Sequence, residues 1–164
     1  MLCYQRGKPF IISCNNNFWK KTLEILRIEH ILKNAERIPK QGPCIIVSNH
    51  PFGILDGLII CSEVAKLRKD YRILINEELT AIDHIRDYLF PLRLDMSKDA
   101  LKLNIKSKND AIEFINKGGL VIIFPSGEVA TSERLFNKAI EKEWKPIIGS
   151  IVRKVNCKIL PVYC

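Results

Sequence analysis

The sequence predicts an α/β fold, a mostly parallel sheet flanked by helices. Two observations carry this. Short apolar runs, among them "CIIVS", "YRILIN", "LVIIF" and "KILPVY", have the length of buried strands, and stretches with helical spacing separate them. The 164 residues suit one domain, and no apolar run approaches the ~18 residues expected of a membrane-spanning helix.

Taken in order, residues 1–15 are expected to be irregular, and residues 16–164 to form the domain. From Asn16 to about Arg37, the residues Phe18, Leu23, Ile25, Leu26, Ile28, Ile31 and Leu32 recur near a 3.6 period with lysines between them, which predicts a helix. It packs on a core, or it lies on a membrane surface with Phe18 and Trp19 at the interface. "IPKQGP" then breaks the chain before the strand "CIIVS". A helix is expected over 57–69, a strand over "YRILIN", a helix over 77–89, a short strand at "LRLD", and a helix over "SKNDAIEFINKGG", with a serine at its start and glycines at its end. "LVIIF" is the next strand. The loop "PSGEVA" follows, then a helix over 147–155 and the strand "KILPVY". No repeat, low-complexity tract or linker interrupts the series.

Lys and Arg outnumber Asp and Glu by 26 to 18, a net charge of +8. That fits either a solvated basic face or an acidic partner. Lys106, Lys108 and Lys117 read as solvated, Trp144 as a packing anchor, and His30 and His84 as structural. The six cysteines form no C-x-x-C pair and have no histidine at ligand spacing, so the reading is reduced thiols, a cytosolic compartment and no metal site. No signal peptide, zinc pattern or nucleic-acid motif is recognisable.

The chemistry centres on "SNHPFGILDGLII", residues 48–60. On a regular helix a six-residue separation would place His50 and Asp56 on different sides. Pro51 and Gly53 permit a turn that brings them together just past the carboxyl end of "CIIVS", where ligands gather in open α/β sheets. Two readings remain open at this point. Asp56 caps the next helix while His50 closes a loop, or the pair is a dyad in which Asp56 orients the imidazole and His50 takes a proton from a hydroxyl. Downstream, "FPSGEVA" reads either as a plain P-x-G turn with surface charges or as a turn whose glycine lets backbone N–H groups approach a ligand, with the Ser126 hydroxyl, Glu128 and Arg134 as polar partners.

"SNHPFGILDG", "FPSGEVA" and "ILPVY" occur in this order, each at the end of a predicted strand. With them the chain, from about residue 20 onward, resembles the glycerolipid (lysophosphatidic acid) acyltransferase family, and most closely its hemolysin-like or ornithine-lipid acyltransferase branch. The family's first block is a His and an Asp with four residues between. Here five intervene, as in the N-H-P-x-G-x-x-D-G form of that branch. The third block, usually F-P-E-G-T-R, reads Phe124, Pro125, Ser126, Gly127, Glu128, Val129. The second block has no clean counterpart, and Arg93 is its nearest candidate.

The resemblance implies an enzyme with a layered α/β fold. Its reaction would be O-acyl transfer, with His50 and Asp56 catalytic and Phe124, Pro125, Ser126, Gly127, Glu128, Arg93 and Arg134 binding substrate. The acceptor would be a lysolipid in phospholipid biosynthesis or wider lipid metabolism. The donor would be a thioester of acyl carrier protein or coenzyme A, used as co-substrate with no bound cofactor and no metal. An anionic membrane surface would be a partner and nucleic acid would not, which puts the protein peripherally on the cytoplasmic face of the cell membrane. The alternative is a catalytically inactive lipid- or membrane-binding protein of the same fold. The family's fourth block, a short apolar run with Pro, matches "ILPVY" around Pro161; relatives continue past it, whereas this sequence ends on an apparent strand at Cys164. The domain is therefore expected to be incomplete at its C-terminus.

Overall fold

A computed structural model describes residues 2–5, 8–11, 18–95, 97–132 and 140–164. Within 1–15, two short strands, β1 (Leu2–Gln5) and β2 (Lys8–Ile11), pair antiparallel. The main body runs α1 (Phe18–Leu26), β3 (Cys44–Ser48), α2 (Ile54–Leu67), β4 (Tyr71–Asn76), β5 (Leu89–Leu92), α3 (Lys98–Asn116), β6 (Leu120–Ile123), α4 (Ile147–Val152) and β7 (Lys158–Val162).

The last five strands form one sheet in the order β5-β4-β6-β3-β7, and every pair in it is parallel. Parallel strands require crossovers, which lay helices on both faces. All five residues of β3 are accordingly buried. Successive side chains of a strand point to opposite faces. Cys44, Ile46, Tyr71, Ile73, Leu120 and Ile122 therefore meet residues of α1 and α2. Ile45, Val47, Leu74, Val121 and Ile123 meet α3 and α4. The result is the expected α/β layering, with one core on each face of the sheet.

Several elements differ from the sequence expectation. The first helix ends at Leu26 instead of continuing to Arg37, because Arg27 turns into the left-handed region at φ 55°. The periodic residues beyond it do not share a buried face: Ile31 is 90% exposed. Within α1, Phe18, Trp19 and Leu23 are buried, and the Trp19 indole N–H donates to the Tyr71 hydroxyl at 2.6 Å. This is the core-packing reading, and it leaves Phe18 and Trp19 no membrane interface.

The stretch expected as one helix over 77–89 is two 3₁₀ segments, Glu77–Ala81 and Asp83–Tyr88, joined through an extended Ile82. Local side-chain bonds compete with an α-helix there: Asn76 Oδ1 accepts from Glu78 N, and Thr80 Oγ1 donates to Glu77 O. The short strand is Leu89–Leu92, not "LRLD". As an edge strand it tolerates Pro91.

Helix α3 starts at Ser97, whose side chain caps Ala100 N at 3.0 Å. Ser107, expected at the helix start, is buried mid-helix and donates to Pro91 O. Helix α2 begins three residues before the expected Gly57, and α4 ends at Val152 rather than Val155.

Candidate active site

Strand β3 ends at Ser48, and the chain then turns sharply through Pro51 and Gly53 into α2. Gly53 makes this possible: it sits at φ 65°, ψ −127°, a region L side chains avoid. The turn closes the six-residue gap. His50 Nδ1 and Asp56 Oδ2 are 3.0 Å apart. Asp56 is the third residue of α2 and not its expected N-cap, a position Gly53 holds; besides contacting the imidazole, its Oδ2 accepts the Phe52 N–H at 2.9 Å, pinning the turn that leads into the helix.

Asp56 is completely buried, while the His50 side chain keeps 17% exposure. An ionised carboxylate only accepts hydrogen bonds, so opposite an ionised Asp56 the Nδ1 atom is the donor of this contact. The imidazole stacks on Phe124, with centroids 4.2 Å apart and planes 25° from parallel.

The His50 main chain is held as tightly as its ring. Its N–H donates to Glu141 Oε2 at 3.1 Å, and its carbonyl accepts from Ala130 N at 3.0 Å. Asn49 ties the turn to the end of β7: Cys164 N donates to Asn49 Oδ1 at 2.8 Å, and Asn49 Nδ2 donates to Cys164 O at 3.2 Å. The Cys164 thiol lies 3.5 Å from Ser48 Oγ. Burial, with the neighbouring Asp56 carboxylate, pushes that thiol up, against a smaller opposing effect of the Ser48 contact. Among the described residues, Asp56 Oδ1 has no hydrogen-bond partner.

The third block leaves β6 at the same carboxyl end of the sheet. Phe124, Pro125 and Ser126 are buried, and Gly127, at φ 66°, closes a tight turn by donating its N–H to Phe124 O at 2.9 Å. Phe124 thus supports the histidine ring. The Ser126 hydroxyl is engaged within the turn, donating to Glu128 O at 2.9 Å. Glu128 is exposed and faces Lys145 Nζ at 3.3 Å.

Arg93 is not brought to this site. It leaves β5, three strand spacings from β3, or ~14 Å. Its guanidinium is engaged by Glu77 through Nε and through an Nη2 contact of 2.9 Å. These two residues line an open cavity of about 660 Å³ with Glu78, Thr80, Arg86 and Pro91. Arg134 lies outside the described residues.

Among the described residues no cluster of His, Cys, Asp and Glu is arranged to hold a metal, and no helix is long and apolar enough to cross a membrane. Cys44, Cys61, Cys157 and Cys164 are free thiols, and burial raises Cys44 to about 11. Of the other histidines, His30 pairs with Glu63 at 2.7 Å. Trp144, expected as a packing anchor, is instead 56% exposed.

Sequence reasoning missed Glu141 and the paired bonds of Asn49. Glu141 lies outside the recognised blocks, and Asn49, although inside the first, finds its partner Cys164 far along the chain.

The Acyltransferase family model matches residues 30–164. A curated relative, the lyso-glycine lipid O-acyltransferase of Phocaeicola vulgatus, is 28% identical over 148 residues, which are 90% of this chain and 50% of that protein. The chain thus spans about half the length of the curated relative. No solved structure matches it.

Proposed function

The chain belongs to the acyltransferase family, and on that premise we propose that its domain transfers a fatty acyl group from a thioester to the free hydroxyl of a lysolipid. The observation that carries this reading is the 3.0 Å contact of His50 Nδ1 with the buried Asp56, in a histidine whose side chain keeps partial exposure. In the proposed step Nε2 takes the hydroxyl proton, and the oxygen attacks the thioester carbonyl. Asp56 stabilises the imidazolium that forms. The tetrahedral oxyanion collapses, expelling thiolate. The thiolate takes the proton back from His50, so ester and free thiol are the products. General-base assistance of this kind contributes about 10²–10⁴ in rate.

The donor is acyl carrier protein or coenzyme A thioester, and the acceptor is the lysolipid. The relative's printed name makes a lyso-amino-acid lipid the first acceptor to try, beside lysophosphatidic acid. Exposed Phe52, Ile54, Val129, Ile140 and Trp144 on the segments around His50 support a lipid surface as the place where the acceptor is met. The net charge of +8 favours an anionic one, on the cytoplasmic face of the membrane.

The test is thioester-dependent acylation of both acceptors by the parent and by His50→Ala. We expect a loss of about 10²–10⁴ in the variant. Equal rates would remove the dyad. Vesicle binding without transfer by the parent would leave the reading of an inactive lipid-binding protein of the same fold.

A further inference from the structure

Among the described residues, two buried side-chain oxygens have no hydrogen-bond partner, Asp56 Oδ1 and Glu141 Oε1. Buried carboxylate oxygens in this state are costly, and each asks for a reason. Both carboxylates hold the same residue. Asp56 holds the His50 ring and Glu141 holds its main-chain N–H at 3.1 Å.

The second contact depends on a narrow neck in the chain. Thr131 and Ile140 pair antiparallel, with Thr131 N to Ile140 O at 3.2 Å and Ile140 N to Thr131 O at 2.9 Å. This returns Glu141 to a point beside Ala130, whose N–H is already on His50 O at 3.0 Å. The two sides of the neck therefore take both polar groups of the His50 peptide backbone. His50 belongs neither to β3 nor to α2, so neither element fixes it.

We propose that Glu141 is a positioning residue for His50, fixing the main chain of the histidine while Asp56 fixes its ring. The inference rests on the acyl-transfer reading and adds to it a residue outside the recognised blocks. Two anchors at right places on one residue set the position of Nε2 relative to an incoming hydroxyl, and a displacement near 1 Å costs up to about 100-fold in rate. The neutral amide of glutamine retains an acceptor oxygen, so the role separates cleanly from a loss of fold.

The experiment compares parent, Glu141→Ala, Glu141→Gln and the exposed neighbour variant Glu143→Ala. Steady-state acyl transfer is measured together with the backbone amide resonance and hydrogen exchange of His50. For Glu141→Ala we expect kcat to fall by roughly 10- to 100-fold with KM within roughly twofold. The His50 amide proton should also move upfield and exchange faster. Glu141→Gln should recover most of kcat and the parent amide signal, and Glu143→Ala should match the parent. An unchanged kcat in Glu141→Ala, or a glutamine variant no better than alanine, overturns the proposal. The amide signal decides independently of turnover: if it is the same in Glu141→Ala as in the parent, the contact does not position His50. Failure of the acyl-transfer reading shows differently, as no thioester-dependent transfer by the parent itself.

Discussion

At the scale of single residues, the turn between β3 and α2 concentrates the chemistry, and Gly53 is its least replaceable member. Its φ of 65° with ψ −127° is open to glycine alone, and a Cβ there would meet Val129 Cγ2 at 3.2 Å. Backbone strain of that kind costs about 1–3 kcal/mol. Gly53→Ala should therefore lower the thermal unfolding midpoint and the acylation rate together, since relaxing the strain must shift His50 relative to Asp56. Retention of both by the variant would show that the turn relaxes without moving the pair.

His50, Asp56 and the glycine between them were legible because they lie within a few residues of one another, and a local turn decides whether they meet. Glu141 and Cys164 were not legible, because the neck at Thr131–Ile140 and the end of β7 bring them in from distant parts of the chain. Ser126 and Phe124 were legible as candidates, but what their side chains touch was not. A hydroxyl already donating inside its own turn and a ring stacked under the imidazole serve the shape of the site.

At the scale of elements, Arg68 joins pieces at the opposite end of the sheet. It closes α2, is buried, and donates to Pro39 O, Gly42 O and Gly118 O at 3.2, 2.9 and 2.8 Å, as well as to both oxygens of Asp70. One side chain thus ties the entry to β3, the turn into β4 and the end of α3. Arg68→Met would leave three carbonyls without this donor, and we expect about 2–4 kcal/mol of lost stability in denaturant unfolding.

The pH dependence has a definite sign. The hydrogen bonds from Arg68 hold the Asp70 carboxyl below its usual range. A carboxyl lowered in the folded state stabilises fully above its unfolded value, about 3.9, and that contribution disappears as pH falls through the folded value. The stability gap between parent and Arg68→Met should be widest near neutrality and narrow on acidification below about pH 4. A constant gap would mean that the ion pair adds nothing to the carbonyl bonds.

Strands were the most readable elements, since a five-residue apolar run has few alternatives when helices follow it. Helix limits were less readable. Nothing in the periodicity of Ile28, Ile31 and Leu32 announces the left-handed Arg27, and local bonds at Asn76 and Thr80 outweigh the helical spacing that follows.

For the whole molecule, burial of Phe18, Trp19 and Leu23 in the core removes α1 as a membrane surface, and leaves the exposed apolar residues near His50 as the proposed one. If that rim meets lipid, Ile54→Glu with Trp144→Glu should weaken sedimentation with anionic vesicles by roughly tenfold or more, given ~1.5–3 kcal/mol for burial of one large apolar side chain. Ile31→Glu, equally exposed but outside the rim, should leave binding unchanged. Equal binding by all three proteins would separate the rim from the membrane.

The parallel sheet also dictates an order of events. β3 sits between β6 and β7, and its register joins Cys44 to Lys158 and Ser48 to Val162. Contacts this distant in sequence form slowly, because the intervening chain must be gathered first. While the chain is being made, the histidine and aspartate emerge early, yet the strand that borders them and the Asn49 bonds to Cys164 arrive only after most of the domain has been synthesised. The site thus matures only once β7 is in place, and a domain synthesised short of that strand would carry both residues without the surroundings that align them.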